Sequence, residues 1–390
     1  MSVGIICEYN PFHNGHLHQI NEIKKENDAP IVCVMSGNFT QRGEIAVADK
    51  YARAEMALTC GADIVLELPF PYCVGSAEFF ASAGVSILAS CGVDRISFGS
   101  ECADIERLSR YARCLLSEEF SRAYAEAART GGNARAYFET LTTLSGDSLE
   151  PSSNDVLAIE YIKSIIKNGY NIEPCPIKRE GSDYNDGELS SGKNPSATAI
   201  RRALREGRTD LEEFLPESTI RILKQSISAD IKNVESGILL ALRLARQDRE
   251  YCSAISDDGL VNRIISSAKE SSSYLEFEKN VSCKKYTDSS IRRAVLYILT
   301  GVMREDLVRE PAYTTLLGAN KRGRDLLSEL RRTEPRIPII TKPSDAYALE
   351  GEAAQRQLAL ALSADAIFTL ALSKPRENGE YIKRKPSIIQ

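Results

Sequence analysis

Apolar runs and amphipathic stretches alternate over the first hundred residues of the chain. The run Val3-Gly4-Ile5-Ile6-Cys7 is followed by a segment with the helical spacing of Leu17, Ile20 and Ile23, which reaches about residue 27, and then by the apolar run 31–35. A helix near 48–59, a strand at 63–68, a helix near 77–89 and a strand at 95–98 continue the series. Repeated strand–helix units predict a parallel sheet, and strands apolar throughout are expected where helices cover both faces. The fold expected from this pattern is α/β, a doubly wound parallel sheet, with its ligand beyond the C-terminal ends of the strands.

The pattern then changes. Residues 103–143 have helical spacing and are rich in Glu, Arg and Ala; a polar stretch, 145–154, precedes an amphipathic helix at 156–166, so a helical insertion is expected at about 103–168. Residues 172–179 read as a returning strand, followed by a Gly, Ser and Asp-rich loop through Pro195 that is long enough to be a mobile active-site element. After about residue 209 helical periodicity dominates, through 239–243 and 291–299, with few strand signals until 337–341. This predicts a catalytic domain over 1–208 and a mainly helical region over 209–390, with Lys383-Arg384-Lys385 as a frayed tail.

At 390 residues and 43% hydrophobic content the chain has material for two or three domains. It opens directly into a strand without a signal pattern, and no apolar run approaches the ~20 residues of a membrane span, so no membrane partner and a cytoplasmic location are expected. The ten cysteines include no C-x-x-C pair and read as small buried hydrophobes. The net charge of −5 hides an asymmetry: residues 281–390 carry 19 Lys+Arg against 13 Asp+Glu, leaving 30 against 41 for residues 1–280. A basic C-terminal third suits a polyanion gripped away from an acidic catalytic region, and equally a solvated basic face.

The chemistry concentrates at the end of the first strand. All three histidines, His13, His16 and His18, fall within six positions, directly after Glu8-Tyr9-Asn10-Pro11-Phe12. Strand, turn and helix N-terminus place His13 and His16 one turn apart beside free backbone N–H groups that attract phosphate. Attack on the α-phosphate of a nucleoside triphosphate needs such positioned donors and little covalent work from the protein. Gly15 lets the backbone approach the phosphates, and Asn10 and Pro11 fix the turn. Two histidines at i and i+3 also suit a metal, but Cys7 and Glu8 point to opposite faces of a strand, and a chance surface cluster is the remaining alternative. No G-x-G-x-x-G follows the first strand, which disfavours a Rossmann-type cofactor, and a Walker A sequence is missing.

The second element is Ser196-Ala197-Thr198-Ala199-Ile200-Arg201, two hydroxyls opening a helix with an arginine one turn in. Such hydroxyls cap a helix and also hold phosphate oxygens, which a guanidinium can bridge. In the C-terminal region, basic residues gather at Lys284-Lys285-Tyr286-Thr287, Arg292-Arg293, Lys321-Arg322-Gly323-Arg324 and Arg331-Arg332. Lysines and arginines with an interleaved tyrosine and threonine can contact phosphates and stack a base; helices of soluble proteins also expose such pairs.

His-x-Gly-His after a first strand resembles the signature of the HIGH-type nucleotidyltransferase superfamily. The longer segment Glu8 to His16, with Ser36-Gly37-Asn38-Phe39, Phe98-Gly99-Ser100-Glu101, Ser196 to Arg201 and Lys285-Tyr286-Thr287, resembles the bacterial tRNA(Met) cytidine acetate ligase family over nearly the full length. The resemblance implies that acetate and ATP give acetyl-adenylate and pyrophosphate, and that acetyl passes to N4 of the wobble cytidine of elongator tRNA(Met). It implies catalytic His13 and His16 and an ATP site formed by Ile6, Cys7, Glu8, Tyr9, Asn10, Pro11, Phe12, His13, Asn14, Gly15, His16, Leu17, His18 and Gln19, with Gly99, Asn154, Arg179, Ser196, Thr198 and Arg201. Lys284, Lys285, Arg292, Arg293, Lys321, Arg322 and Arg324 are the expected tRNA contacts. No protein metal site is expected, and magnesium is presumed only as the escort of ATP. Ala197 stands where the superfamily often has a second serine. A cofactor-making adenylyltransferase and a non-catalytic RNA-binding protein are the rival readings; the first needs no extra region of nearly two hundred residues, and intact His13, Gly15, His16 and Arg201 speak against the second.

Overall fold

The computed structural model describes residues 1–26, 28–130, 133–147, 152–179, 196–245, 252–255, 257–377 and 379–389; the loop expected to be a mobile element lies largely outside them. The strands are β1 (Val3–Cys7), β2 (Ile31–Ser36), β3 (Ile64–Leu68), β4 (Arg95–Ser100), β5 (Glu173–Lys178), β6 (Thr314–Ala319), β7 (Ile339–Ile340) and β8 (Ser387–Ile388). The α-helices before residue 210 are α1 (Asn14–Glu26), α2 (Lys50–Thr59), α3 (Ala77–Ser90), α4 (Ile105–Leu115), α5 (Glu118–Thr130), α6 (Asn133–Ser145), α7 (Ser153–Asn168) and α8 (Ala197–Arg205). Those after it are α9 (Glu217–Gln225), α10 (Glu235–Leu244), α11 (Asp258–Glu270), α12 (Tyr274–Val281), α13 (Asp288–Thr300), α14 (Arg304–Val308), α15 (Lys321–Arg332) and α16 (Glu352–Ala371).

The sheet runs β5-β4-β1-β2-β3-β6-β7, with β8 on β6. Its first five strands are parallel; Ile5 sits opposite Cys33 on one side and Ser97 on the other. From β1 the chain winds outward through β2 and β3, then returns to place β4 and β5 on the opposite side. The order therefore reverses between β1 and β4, and a crevice opens beyond their C-terminal ends, where a doubly wound sheet takes its ligand. β1, β2 and β3 are buried along their whole length, as their unbroken apolar runs predict. Local signals fix the helices: Asp49 accepts from Tyr51 N and Ala52 N to start α2, and α7 runs from a Ser152 cap to Gly169 at φ 64°. Among the described residues no helix is long and apolar enough to cross a membrane.

The C-terminal region departs from the expected pattern. Thr314–Ala319 is a fully buried strand running antiparallel to β3, so the sheet continues past residue 208. A six-residue apolar run between helical stretches has no period that separates it from a buried helix segment, and only its partner decides. Of residues 337–341, only Ile339–Ile340 pairs as a strand. β4 continues through Gly99 and Ser100, which pair with Ile177 and Lys178, although both read as lying after that strand. The tail is not frayed: Tyr381 is buried, the Arg384 guanidinium lies 4.7 Å from the Tyr51 ring centroid and 3.3 Å from Asp49, and β8 pairs with β6. Lys50 Nζ, buried 2.7 Å from Glu67 and 3.4 Å from Asp365, joins α16 to the end of β3, with Asn38 donating to Asp365 at 2.8 Å. Charges this deep persist only when paired.

Candidate active site

The turn after β1 carries the two imidazoles into the crevice. Tyr9 takes φ 45°, and its ring stands edge-on to those of Phe12 and His16, each 4.8 Å away, so an aromatic floor holds His16 from below. The rings of His13 and His16 stack at 3.7 Å. Gly15 N–H donates to His13 Nδ1 at 3.1 Å, and His13 N–H donates to His16 Nδ1 at 3.2 Å. A Cβ on Gly15 would lie 2.9 Å from His13 Cε1, so only glycine lets the ring fold back over the helix start.

These bonds decide the protonation. With both Nδ1 atoms accepting, each neutral ring carries its proton on Nε2, a donor left for a ligand. Burial, then the nearby Arg179 and Arg201 charges, lower His13 to about 3; burial, His13 and Arg179 hold His16 well below its ordinary value. The pair is therefore uncharged at neutral pH and supplies dipoles, not cations. The backbone donors expected beside it are occupied: Asn14 N–H goes to Phe214 O, Gly15 N–H to His13, and His16 N–H to His13 O. The folding of the motif on itself uses two of them, and the Phe214 carbonyl takes the third.

Arg201 arrives from the other motif. Ser196 caps α8 by accepting from Ala199 N, and Arg201, 6% exposed, reaches Asn10 O at 3.3 Å, Thr198 Oγ1 at 3.1 Å and Glu44 at 3.1 Å. Asn10 accepts from Val47 N with Oδ1, while its Nδ2 is buried without a partner. Across the crevice the Arg179 side chain lies over Gly99, whose missing Cβ would stand 3.2 Å from Arg179 Cγ. Asn154, at the start of α7, donates to Glu101 at 2.5 Å, and Arg179 lies 3.8 Å from the same carboxylate. β1, β4, β5, α1, α7 and α8 thus bring together an uncharged donor pair, two arginines and two amides at the topological switch. That arrangement can bind a polyanion and stabilise charge growing on a phosphoryl group.

Matches to known proteins fall on the same chain-wide frame. The family model described as HIGH Nucleotidyl Transferase matches residues 1–381. A tRNA(Met) cytidine acetate ligase of Fervidobacterium nodosum is 40% identical over 360 residues, covering 88% of this chain and 84% of the relative. The one from Acetivibrio thermocellus is 35% identical over 403 residues, covering 96% and 95%. The chain belongs to the tRNA(Met) cytidine acetate ligase family. As a member of that family it is also similar in structure to Thermotoga maritima TmcAL, at 32% identity with complete coverage of both chains: the TM-score is 0.92 to the apo form and 0.88 to the form bound with alpha-thio ATP.

Within this ligase-family chain the remaining expected residues separate by position. Ile6, Cys7, Tyr9 and Phe12 are buried in the core, where their side chains support the strand and the turn that follows it. His18 lies 3.9 Å from Glu22 on the outer side of α1, away from the stacked pair; Gln19 donates to Ser97, tying α1 to β4. Lys284 and Lys285 are exposed just before α13, with Lys285 paired to Asp257 at 2.6 Å and 5.0 Å from the Tyr286 ring centroid. Arg292 and Arg293 turn inward to Arg42 O and Gln41 O. Lys321, Arg322 and Arg324 sit at the opposite end of the sheet: Arg322 bonds Asp28, and a Cβ on Gly323 would strike Asp63 O, just before β3 starts. A five-residue strand, about 16 Å long, separates them from the crevice.

Two organising residues were given no role by the sequence reading, although Glu101 stood in one of its strand-end segments. Glu101 accepts from Asn154 and Ser152 and faces Arg179, so one carboxylate sets two of the expected nucleotide contacts. Its position beside Gly99 at a strand end was the available signal. Arg53, fully buried in α2, donates to Ala48 O, Glu8 O, Ser36 O and Gly37 O, locking the ends of β1 and β2 together. A lone arginine on the apolar face of an amphipathic helix is the trace it leaves.

Proposed function

We propose that this chain is an ATP-dependent ligase that joins acetate to N4 of the wobble cytidine of elongator tRNA(Met), giving N4-acetylcytidine, in the cytoplasm. The single observation that carries the reading is the stacked, neutral His13–His16 pair, donors outward, set between Arg201 and Arg179 at the switch point in a chain of this family.

In the first step an acetate oxygen attacks the α-phosphorus of ATP and the bond to the β-phosphate breaks, releasing pyrophosphate. Negative charge grows on the α-phosphoryl oxygens, where the two Nε2–H groups donate without reorganising. Arg201, Ser196 and Thr198 serve the leaving phosphates, while Gly99, Asn154 and Arg179 serve the nucleoside side. In the second step N4 attacks the acetyl carbonyl, AMP leaves, and N4 gives up a proton; orientation and exclusion of water do most of this work. Among the described residues no three His, Cys, Asp or Glu side chains gather as an ion site, so the presumed magnesium would be held mainly by phosphate oxygens. Lys284 and Lys285, with Tyr286 beside them, are the RNA contacts this reading favours, because α13 leads from them directly to the crevice.

The test is ATP-dependent transfer of labelled acetate into unmodified tRNA transcripts by the native chain and the His13→Ala, His16→Ala variant. Label in elongator tRNA(Met) alone, lost in the variant, is expected. Acetate-independent adenylyl transfer to another small molecule would replace the reading with that of a cofactor-making adenylyltransferase.

A further inference from the structure

Thr40 to Glu44 forms a tight turn between the bridged residues Phe39 and Ile45, closed by Gly43 N–H to Thr40 O at 2.8 Å and Thr40 N–H to Glu44 O at 3.0 Å. It reaches the end of β1, the start of α7, α8 and α13. Gln41 N–H donates to the Glu8 carboxylate at 2.7 Å, and Arg42 donates to Ser153 at 3.2 Å, next to Asn154. Gly43, at φ 73°, lies against α13 so closely that a Cβ would stand 2.9 Å from Arg292 C and Arg293 N. The turn cannot move relative to α13 without opening this contact.

Glu44 divides its carboxylate between the two sides. One oxygen lies 3.1 Å from Arg201 and the other 3.7 Å from Arg292, whose own far side lies 3.8 Å from Glu278. Charges therefore alternate from the phosphate-side arginine to the C-terminal region: Arg201, Glu44, Arg292, Glu278. Arg292 also borders an open cleft of about 450 Å³ between α12 and α13, together with Lys279 and Asp288, so its guanidinium can be reached from outside.

We propose that Glu44 is the positioning residue of Arg201, and that by sharing its carboxylate with Arg292 it makes the hold of Arg201 on phosphates depend on what Arg292 binds. The proposal rests on the assignment of Arg201 to the triphosphate. Glu44 is the anion on Arg201, so an arriving triphosphate competes with it, and Arg292 weakens that competitor by drawing on the same carboxylate. An RNA phosphate that engages Arg292 returns Glu44 to Arg201 and loosens the grip on phosphates. Pyrophosphate then leaves as the RNA arrives.

The experiment is equilibrium binding of ATP alone, without acetate or RNA, to the native chain and to Glu44→Gln, Arg292→Gln, Arg292→Lys and the Glu44→Gln, Arg292→Gln double variant, each checked by thermal melting. Loss of Glu44 should tighten ATP about threefold to tenfold, and loss of Arg292 should weaken it by a similar factor, as one charge-assisted contact allows. Arg292→Lys should stay near the native value. In the double variant ATP should bind as in Glu44→Gln, because Arg292 has no carboxylate left to divide. Purely additive effects would reduce both residues to background charge, and weakening by both single variants would make them merely structural; either result overturns the proposal. Failure of the native chain to bind ATP would instead remove the nucleotide reading itself.

Discussion

The two ends of the sheet use the same materials for opposite purposes. At the N-terminal end Asp63 accepts from Ile31 N and Asn320 Nδ2, both at 2.8 Å, Arg322 binds Asp28, and Gly323 seats α15 on the Asp63 carbonyl. At the C-terminal end Arg53, Glu101 and Asp155 tie strand ends together in the same manner, Asp155 accepting from Ser100 Oγ and Glu101 N. The difference is what remains. Asp63, Asn320 and Arg322 at the first end all have partners, whereas the second leaves the outward Nε2 donors of two neutral imidazoles and the unpartnered Asn10 Nδ2. Burying a polar group without a partner costs stability, so leftover donors in a supported crevice mark where a ligand completes the structure.

The largest test removes those leftovers. His13→Ala with His16→Ala should lower acetate-dependent exchange of ATP with pyrophosphate about 10³-fold or more, since a single oxyanion-type donor is worth about 10²-fold to 10³-fold. Its melting temperature should stay close to the native one; an unfolded variant would show that the pair belongs to the scaffold after all. At the other end Gly323→Ala should cost about 3 kcal/mol in urea unfolding, because the added methyl overlaps the Asp63 carbonyl. The folded fraction should exchange at the native rate, and a slowed rate would join the two ends functionally.

Acid should expose the same contrast. His13 protonates at about 3 in the folded chain and near 6.5 when unfolded, so between these values the unfolded chain binds the extra proton and stability falls as pH drops. Between pH 7 and 5 the native chain should lose about 2 kcal/mol more than His13→Ala, read from urea midpoints at each pH. Equal losses would mean that His13 is charged in the folded state.

Smallest is the effect on RNA. Lys284→Ala with Lys285→Ala should weaken tRNA binding about tenfold at 0.1 M salt and reduce the salt slope by about 2, whereas Lys321→Ala with Arg324→Ala, beyond the far end of β3, should change it less than about twofold. A larger loss from the second pair would carry the RNA surface around the sheet.

Periodicity sufficed for β1 to β3 and the helices between them, because strands buried on both faces are apolar without a break and capped helices announce their starts. It failed at β6, where six apolar residues have no period of their own, and at the tail, where Arg384 and Tyr381 gain order only from Tyr51 and Asp49. The motif residues His13, Gly15, His16, Ser196 and Arg201 were legible because their spacing along one short turn or one helix start is itself the geometry. Charge clusters were not: Lys285 and Arg322 look alike in sequence, yet lie toward opposite ends of the sheet.

The sequence by itself determined the parallel strand–helix units, the donor-bearing turn after the first strand and the hydroxyl and arginine that open α8, since each depends on residues a few positions apart. The tertiary structure alone decided which donors stay free, which arginines face inward, and that Glu101, Arg53 and Glu44 organise the crevice. Those outcomes depend on burial and on partners up to about 250 positions away, as in Gly43 against Arg292, and no local pattern records them.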